Sequence, residues 1–258
     1  MLRITTIQAD LIWQNKAANL EKFDKILKGP LRGETDVIVL PEMFTTGFSM
    51  SPETLAEPMN GATVAFLKEK SHALDAAITG SFICEENGKF YNRLVWMQPD
   101  GQFWTYDKRH LFSLANEQNH YTAGSERLQI EWRGWRICPM ICYDLRFPAW
   151  SRNVAPDFYD VLIYVANWPE RRRVPWQALL TARAIENQAF VVGVNRVGAD
   201  GNDISHSGDT KIVDFAGENI FQRAHTEGVE TTTLSKSDLM DFRKKFAFLA
   251  DQDPFTLK

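Results

Sequence analysis

Three apolar runs in this chain each end on a residue that can take part in a reaction. Val37-Ile38-Val39-Leu40 stops at Pro41-Glu42, Phe103 to Tyr106 runs into Asp107-Lys108, and Trp135 to Ile141 ends at Cys142-Tyr143-Asp144. A short continuous apolar run is the pattern of a strand buried on both faces. Its polar end falls at the sheet edge where α/β proteins place ligands. If the three ends meet, they bring together a carboxylate, an ammonium and a thiol. The carboxylate can take the thiol proton. The ammonium, and the backbone N–H of Tyr143 that follows the cysteine, can hold an oxyanion. That set is the minimum for hydrolysing an amide through a thioester. Taken singly, each residue has a plain structural reading. A free cysteine is among the most buried residue types, a glutamate can cap the loop after it, and most lysines are solvated.

The rest of the sequence must supply a frame for these ends. With 258 residues, 44% of them hydrophobic and 24% charged, the chain has the composition of a globular protein of one large domain. A net charge of −4 and a pI near 5.8 favour neither nucleic acid nor an anionic membrane as partner. Three cysteines, Cys84, Cys138 and Cys142, make no disulfide framework and suit a reducing compartment. No Cys/His spacing matches a zinc site, and no cofactor is expected. Leu2 to Gln8 follows the first methionine without a basic and then apolar leader, and no stretch has the length of a membrane span. The expected location is the cytoplasm.

Periodicity places the elements. Strands are expected at Leu2 to Gln8, Val37 to Leu40, Ala77 to Cys84, Phe90 to Met97 and Phe103 to Tyr106. More follow at Leu128 to Trp132, Trp135 to Ile141, Val161 to Val165, Phe190 to Asn195, His206 to Phe215 and Gly228 to Leu234. Helical spacing covers Asn15 to Leu27, Gly61 to Leu74, Val174 to Asn187 and Ser235 to Phe246, with a short helix opened by Pro148. Residues 109–126 form a long polar and aromatic loop, a type that is often functional. Strands alternating with helices, mixed with hairpins, predict a pair of mixed sheets with helices outside rather than a doubly wound parallel sheet. With no repeat or linker, residues 1–258 read as one domain, and 247–258 as a tail that docks on a partner subunit. Cys84 and Cys138, on strands, are expected to be inert.

The stretches Leu40-Pro41-Glu42-Met43-Phe44, Tyr106-Asp107-Lys108-Arg109-His110-Leu111-Phe112 and Ile141-Cys142-Tyr143-Asp144-Leu145-Arg146-Phe147-Pro148 resemble the three signature stretches of the nitrilase superfamily of carbon–nitrogen hydrolases. Ala166-Asn167-Trp168-Pro169 and Ala182 to Gln188 resemble two more, and the likeness runs to about Leu234. One departure is Ala149, where many relatives have glutamate. The resemblance implies a four-layer αββα sandwich, paired through its helices into a homodimer or larger homo-oligomer. It implies Cys142 as nucleophile, Glu42 as general base, Lys108 with the Tyr143 N–H at the oxyanion, and Glu117 as a second glutamate. Asp144 and Arg146 are expected to fix the cysteine turn, and Arg183, Glu186 and Asn187 to tie their helix to the loop beneath.

Pro41 to Met50, His120 to Gly124 and Asn167-Trp168-Pro169 are most similar to the ω-amidase branch. That branch hydrolyses the terminal amide of short dicarboxylic acid monoamides such as 2-oxoglutaramate and 2-oxosuccinamate. The implied partner is thus a small amide carrying a carboxylate at its far end. A cation must meet that carboxylate, and Arg171-Arg172-Arg173 stand at a helix start, where the dipole disfavours them. Arg172 is the expected clamp, with Arg173 as alternate, and Phe44, Tyr121 and Trp168 are the expected pocket walls. Rival readings are another C–N hydrolase acting on a nitrile, carbamoyl amine or acyl amide, and a binding protein on the same fold.

Overall fold

The computed structural model describes residues 1–29, 31–254 and 256. In chain order its first half runs β1 (Leu2–Gln8), α1 (Lys16–Leu27), β2 (Val37–Val39), α2 (Pro52–Leu55), α3 (Ala62–Leu74), β3 (Ala77–Glu86), β4 (Lys89–Met97) and β5 (Phe103–Asp107). Then come β6 (Ile130–Trp132), β7 (Trp135–Ile141), α4 (Pro148–Ser151), β8 (Val161–Ala166), α5 (Arg173–Asn187) and β9 (Phe190–Asn195). The chain ends with β10 (Val197–Ala199), β11 (Ser205–Val213), β12 (Asn219–Ala224), β13 (Gly228–Leu234) and α6 (Lys236–Lys245). Asn15 caps α1 by accepting the Ala18 N–H, and Ser235 caps α6 by accepting that of Asp238.

One sheet has the order β13-β1-β2-β3-β4-β5 and the other β10-β11-β9-β8-β7-β6, with β12 added beside β11. Each has a parallel centre, β1-β2-β3 in the first and β7-β8-β9 in the second, flanked by antiparallel strands. Side-chain alternation along the strands then dictates the layers. Val37 and Val39 join Leu2, Ile4, Leu94 and Trp96 in a core shared with Ile137, Met140, Leu162 and Tyr164 of the second sheet. Ile38 and Leu40 point the other way, onto Phe23 and Leu27 of α1 and Val64, Leu67 and Leu74 of α3. Trp176, Leu180 and Ala184 of α5 cover the outer face of the second sheet. The order of layers is therefore helix, sheet, sheet, helix, as expected. Gly193 on β9 permits the close seat of α5, because a Cβ there would lie 2.5 Å from a Leu180 methyl and 2.9 Å from the Trp176 ring.

Three elements lay outside the sequence expectation: α2, β10 and β12. β12 has only exposed and half-buried residues, so it offers no buried apolar run to detect. The 109–126 loop contains two single 3-10 turns, Ser113–Ala115 and Glu117–Asn119. In the 247–258 segment, Phe248–Asp251 form a 3-10 turn with Leu249 buried. Phe255, Leu257 and Lys258 lie outside the described residues.

Candidate active site

Parallel strands send their C-terminal ends in one direction, and the facing sheets bring those ends together. Glu42 follows β2, Lys108 follows β5 and Cys142 follows β7. The Lys108 ammonium lies 2.9 Å from a Glu42 carboxylate oxygen and donates to both oxygens of Glu117, at 2.9 and 3.0 Å. All three side chains are inaccessible to solvent (0–1% exposed). Two asparagines complete the cluster. Asn92 on β4 donates to Glu42 at 2.8 Å, and the backbone N–H of Asn167, just past β8, donates to the other Glu42 oxygen at 2.7 Å. Glu117 also accepts the backbone N–H of Phe112. Buried carboxylates and an ammonium persist only when paired and hydrogen-bonded like this.

Cys142 adopts a left-handed backbone, φ 42°, at the first position of the 3-10 turn Cys142–Arg146. Non-glycine residues there are sterically disfavoured and need support from their surroundings. Asp144 supplies it. Its buried carboxylate accepts the Ile141 N–H at 3.1 Å, the Tyr106 hydroxyl at 2.7 Å and the His110 N–H at 3.0 Å, and contacts His110 Nδ1 at 2.8 Å. Tyr106 in turn accepts the Trp150 indole N–H at 2.9 Å. Arg183 donates to the Leu145 carbonyl at 2.7 Å and pairs with Glu186, and Asn187 accepts the Asn153 N–H, so α5 holds the loop beneath the turn as expected. Tyr143 follows Cys142 at the start of that turn, where the first N–H groups have no acceptor within the helix.

A cavity of about 200 Å³ opens over these groups. It is lined by Glu42, Lys108, Cys142, Tyr143, Trp168 and Arg172 among the sequence-predicted residues. Three expectations are corrected. Phe44 is fully buried in the core beneath α1, edge-on to Phe23 at 5.4 Å, because it alternates away from the pocket side. Tyr121 lies behind the wall with Met43 and Ile83, its hydroxyl bonded to the Ser49 carbonyl. Phe48 does face the site, with the Lys108 ammonium 4.8 Å from its ring centre. Arg146 does not brace the turn. It lines the cavity, its guanidinium 5.0 Å from the Trp168 ring centre. Within the triple arginine, Arg173 grips both oxygens of Asp209 at 2.7 and 3.0 Å. Arg172 instead rests over Phe112 at 5.1 Å. Sequence reasoning also missed Asn92, Asp200, Ile204 and His206. They come from strand interiors or from the β10–β11 hairpin, and no motif marks them.

Burial decides the charge states. Desolvation alone would lower Lys108, but Glu117 and Glu42 more than offset it and hold the lysine well above its ordinary range. Burial, with the neighbouring Glu42 carboxylate, raises the Cys142 thiol well above a free cysteine. Cys142 therefore rests as a neutral thiol beside Glu42. Burial also raises Glu117, despite Lys108. Burial pushes Cys84 and Cys138 up to about 11 and about 12, and neither lines the cavity. Among the described residues, no group of three or more His, Cys, Asp or Glu side chains is arranged to hold a metal ion.

Comparison with known proteins fits this geometry. The chain is 46% identical to the omega-amidase YafV of Escherichia coli K12 over 99% of its length and 98% of the relative's. It is 31% identical to the 2-oxoglutaramate amidase of Bacillus subtilis, covering 96% of each chain. The fold superposes with a TM-score of 0.97 on the crystal structure of a CN-hydrolase superfamily protein from Xanthomonas campestris with an arsenic adduct in its active site; identity is 44%, and 100% and 99% of the two chains are covered. The carbon-nitrogen hydrolase family model matches residues 3–244. By fold, by site and by sequence over nearly its whole length, the chain belongs to the carbon-nitrogen hydrolase family.

Proposed function

We propose that this protein is an ω-amidase. It hydrolyses the terminal amide of short dicarboxylic acid monoamides, 2-oxoglutaramate and 2-oxosuccinamate, to the diacid and ammonia. The observation that carries the reading is a cavity with a thiol and a buried Glu–Lys–Glu cluster at one end and an uncommitted arginine, Arg172, in its wall. Cys142 attacks the amide carbon as its proton passes to Glu42. Lys108 and the Tyr143 N–H hold the oxyanion. Glu42 then delivers the proton to the leaving nitrogen, ammonia departs and a thioester remains. Water attacks the thioester with Glu42 again as base, releasing the acid and restoring the thiol. Glu117 keeps Lys108 charged and in place through both steps. Names of relatives that act on omega-amides support this substrate class.

Arg172 grips the far carboxylate. Among the described residues its guanidinium has no hydrogen-bond or ion-pair partner, whereas Arg173 is committed to Asp209. The wild-type protein should release ammonia from 2-oxoglutaramate. Arg172→Leu should lower that activity by at least roughly tenfold, the loss expected for a charge-assisted pair. An uncharged short amide should be affected much less, and equal losses on the two substrates would remove Arg172 from this role. We further read the chain as one hydrolase domain, working in the cytoplasm as a homo-oligomer. Exposed apolar side chains on α5, Val174 and Ile185, support a partner face there. Among the described residues no helix is long and apolar enough to cross a membrane.

A further inference from the structure

The cavity contains more positive charge than one carboxylate needs. Arg146 stands four residues beyond the nucleophile, at the end of its turn. Its guanidinium lies against the Trp168 ring, and that indole donates its N–H to the Arg172 carbonyl at 2.7 Å. One ring thus ties the two arginine-bearing turns together. Both guanidiniums are half-buried and rest on aromatic rings, which leaves their N–H edges for a ligand. Among the described residues, neither has a hydrogen-bond or ion-pair partner. Burial, followed by the charges of Arg171 and Arg146, lowers the proton affinity of Arg172, so the cations sense one another.

The acids facing the cavity do not balance them. Glu42 is shared among Lys108, Asn92 and Asn167. Asp200 accepts the backbone N–H groups of Asn202 and Ile204 at 2.8 and 3.1 Å. His206 lines the same space as a neutral imidazole, since burial pulls it down to about 4. A substrate end with three oxygens, a carboxylate and an adjacent ketone, can occupy both guanidinium edges. A 2-amino acid end would place an ammonium against one of them.

We infer that Arg146 is a specificity-determining residue that reads carbon 2 of the substrate, donating to a 2-oxo oxygen and repelling a 2-ammonium while Arg172 holds the carboxylate. This assignment rests on the ω-amidase reading above. Three amides of one chain length test it: 2-oxoglutaramate, glutaramate and glutamine, which differ only at carbon 2. Arg146→Met keeps an apolar stem on Trp168, and Arg146→Lys keeps the charge without the planar fork. In Arg146→Met, kcat/KM for 2-oxoglutaramate should fall about 10- to 100-fold while that for glutaramate stays within about threefold, since only the former loses a charge-assisted hydrogen bond. The preference for 2-oxoglutaramate over glutamine should narrow in that variant and persist in Arg146→Lys. Equal losses on 2-oxoglutaramate and glutaramate in both variants would overturn the assignment and make Arg146 a support of the turn or of the carboxylate. A wild-type protein that cleaves a neutral short amide but neither 2-oxoglutaramate nor glutaramate would instead overturn the ω-amidase reading itself.

Discussion

Lys108 illustrates why the residues of the buried cluster cannot be exchanged one at a time. It is the counter-ion for two carboxylates that are otherwise fully buried, Glu42 and Glu117. Glu42→Gln removes the proposed base and one acceptor. Its remaining oxygen cannot serve Lys108, Asn92 and the Asn167 N–H together. Ammonia release should nearly stop, while stability falls by only about 1–3 kcal/mol, the cost of one buried donor left unpaired. Lys108→Ala is harsher. On the proposed mechanism it removes an oxyanion donor, which costs about 100- to 1,000-fold in turnover. The two abandoned carboxylates should also destabilise the fold by about 3–5 kcal/mol, as when one partner of a buried ion pair is removed. Denaturant unfolding beside an ammonia assay separates the two effects. A Lys108→Ala protein as stable as the parent would mean that the cluster is not ionised as described.

At the scale of elements, the ends of the strands matter more than their lengths. Lys108 sits where β5 stops, and the loop after it returns so that the Gly124 N–H donates to the Lys108 carbonyl at 3.0 Å. A Cβ on Gly124 would stand 2.2 Å from the Asp107 carbonyl oxygen, a backbone atom with nowhere to go. Gly124→Ala should therefore push the loop off the end of β5, cost about 1–3 kcal/mol as overpacking does, and lower turnover by displacing Lys108. Unchanged melting and turnover would show that the loop can yield. This constraint is invisible in sequence, because a glycine in a polar loop reads as a turn. By contrast β1, β7, β9 and β13 have the bounds that alternation and apolar runs predicted. Glu42, Lys108 and Cys142 were legible for the same reason, since each ends an apolar run. Phe44 and Arg146 were misplaced because neighbours in sequence point to opposite sides of a strand end or turn. No local pattern tells which side meets the cavity. Asn92 was missed because an asparagine inside a strand becomes informative only once its buried neighbour is known.

For the whole molecule, the consequence of the sandwich is that neither sheet owns the site. Glu42 and Lys108 come from the first sheet, and Cys142 and Asn167 from the second. Anything that strains the seam between the sheets therefore acts on both stability and chemistry. At that seam Arg196 donates to Asp10 at 2.7 Å, Asp10 bridges to Val197, and the β10–β11 hairpin brings His206 beside them, 5% exposed. Burial, and then the Arg196 charge, lowers His206 from 6.5 to about 4. The native protein thus refuses a proton that the unfolded chain accepts below its ordinary histidine value. Between those two values the unfolded state binds more protons, so stability falls as pH falls, and it does not change with this residue above about 7. For a histidine displaced this far, the loss between about pH 7 and about pH 5 is roughly 2 kcal/mol. His206→Gln removes the titrating group and should flatten that part of the curve. Urea unfolding of both proteins at the two pH values measures the difference. Parallel losses in parent and variant would mean that His206 accepts its proton in the folded state, and that the seam is open to water.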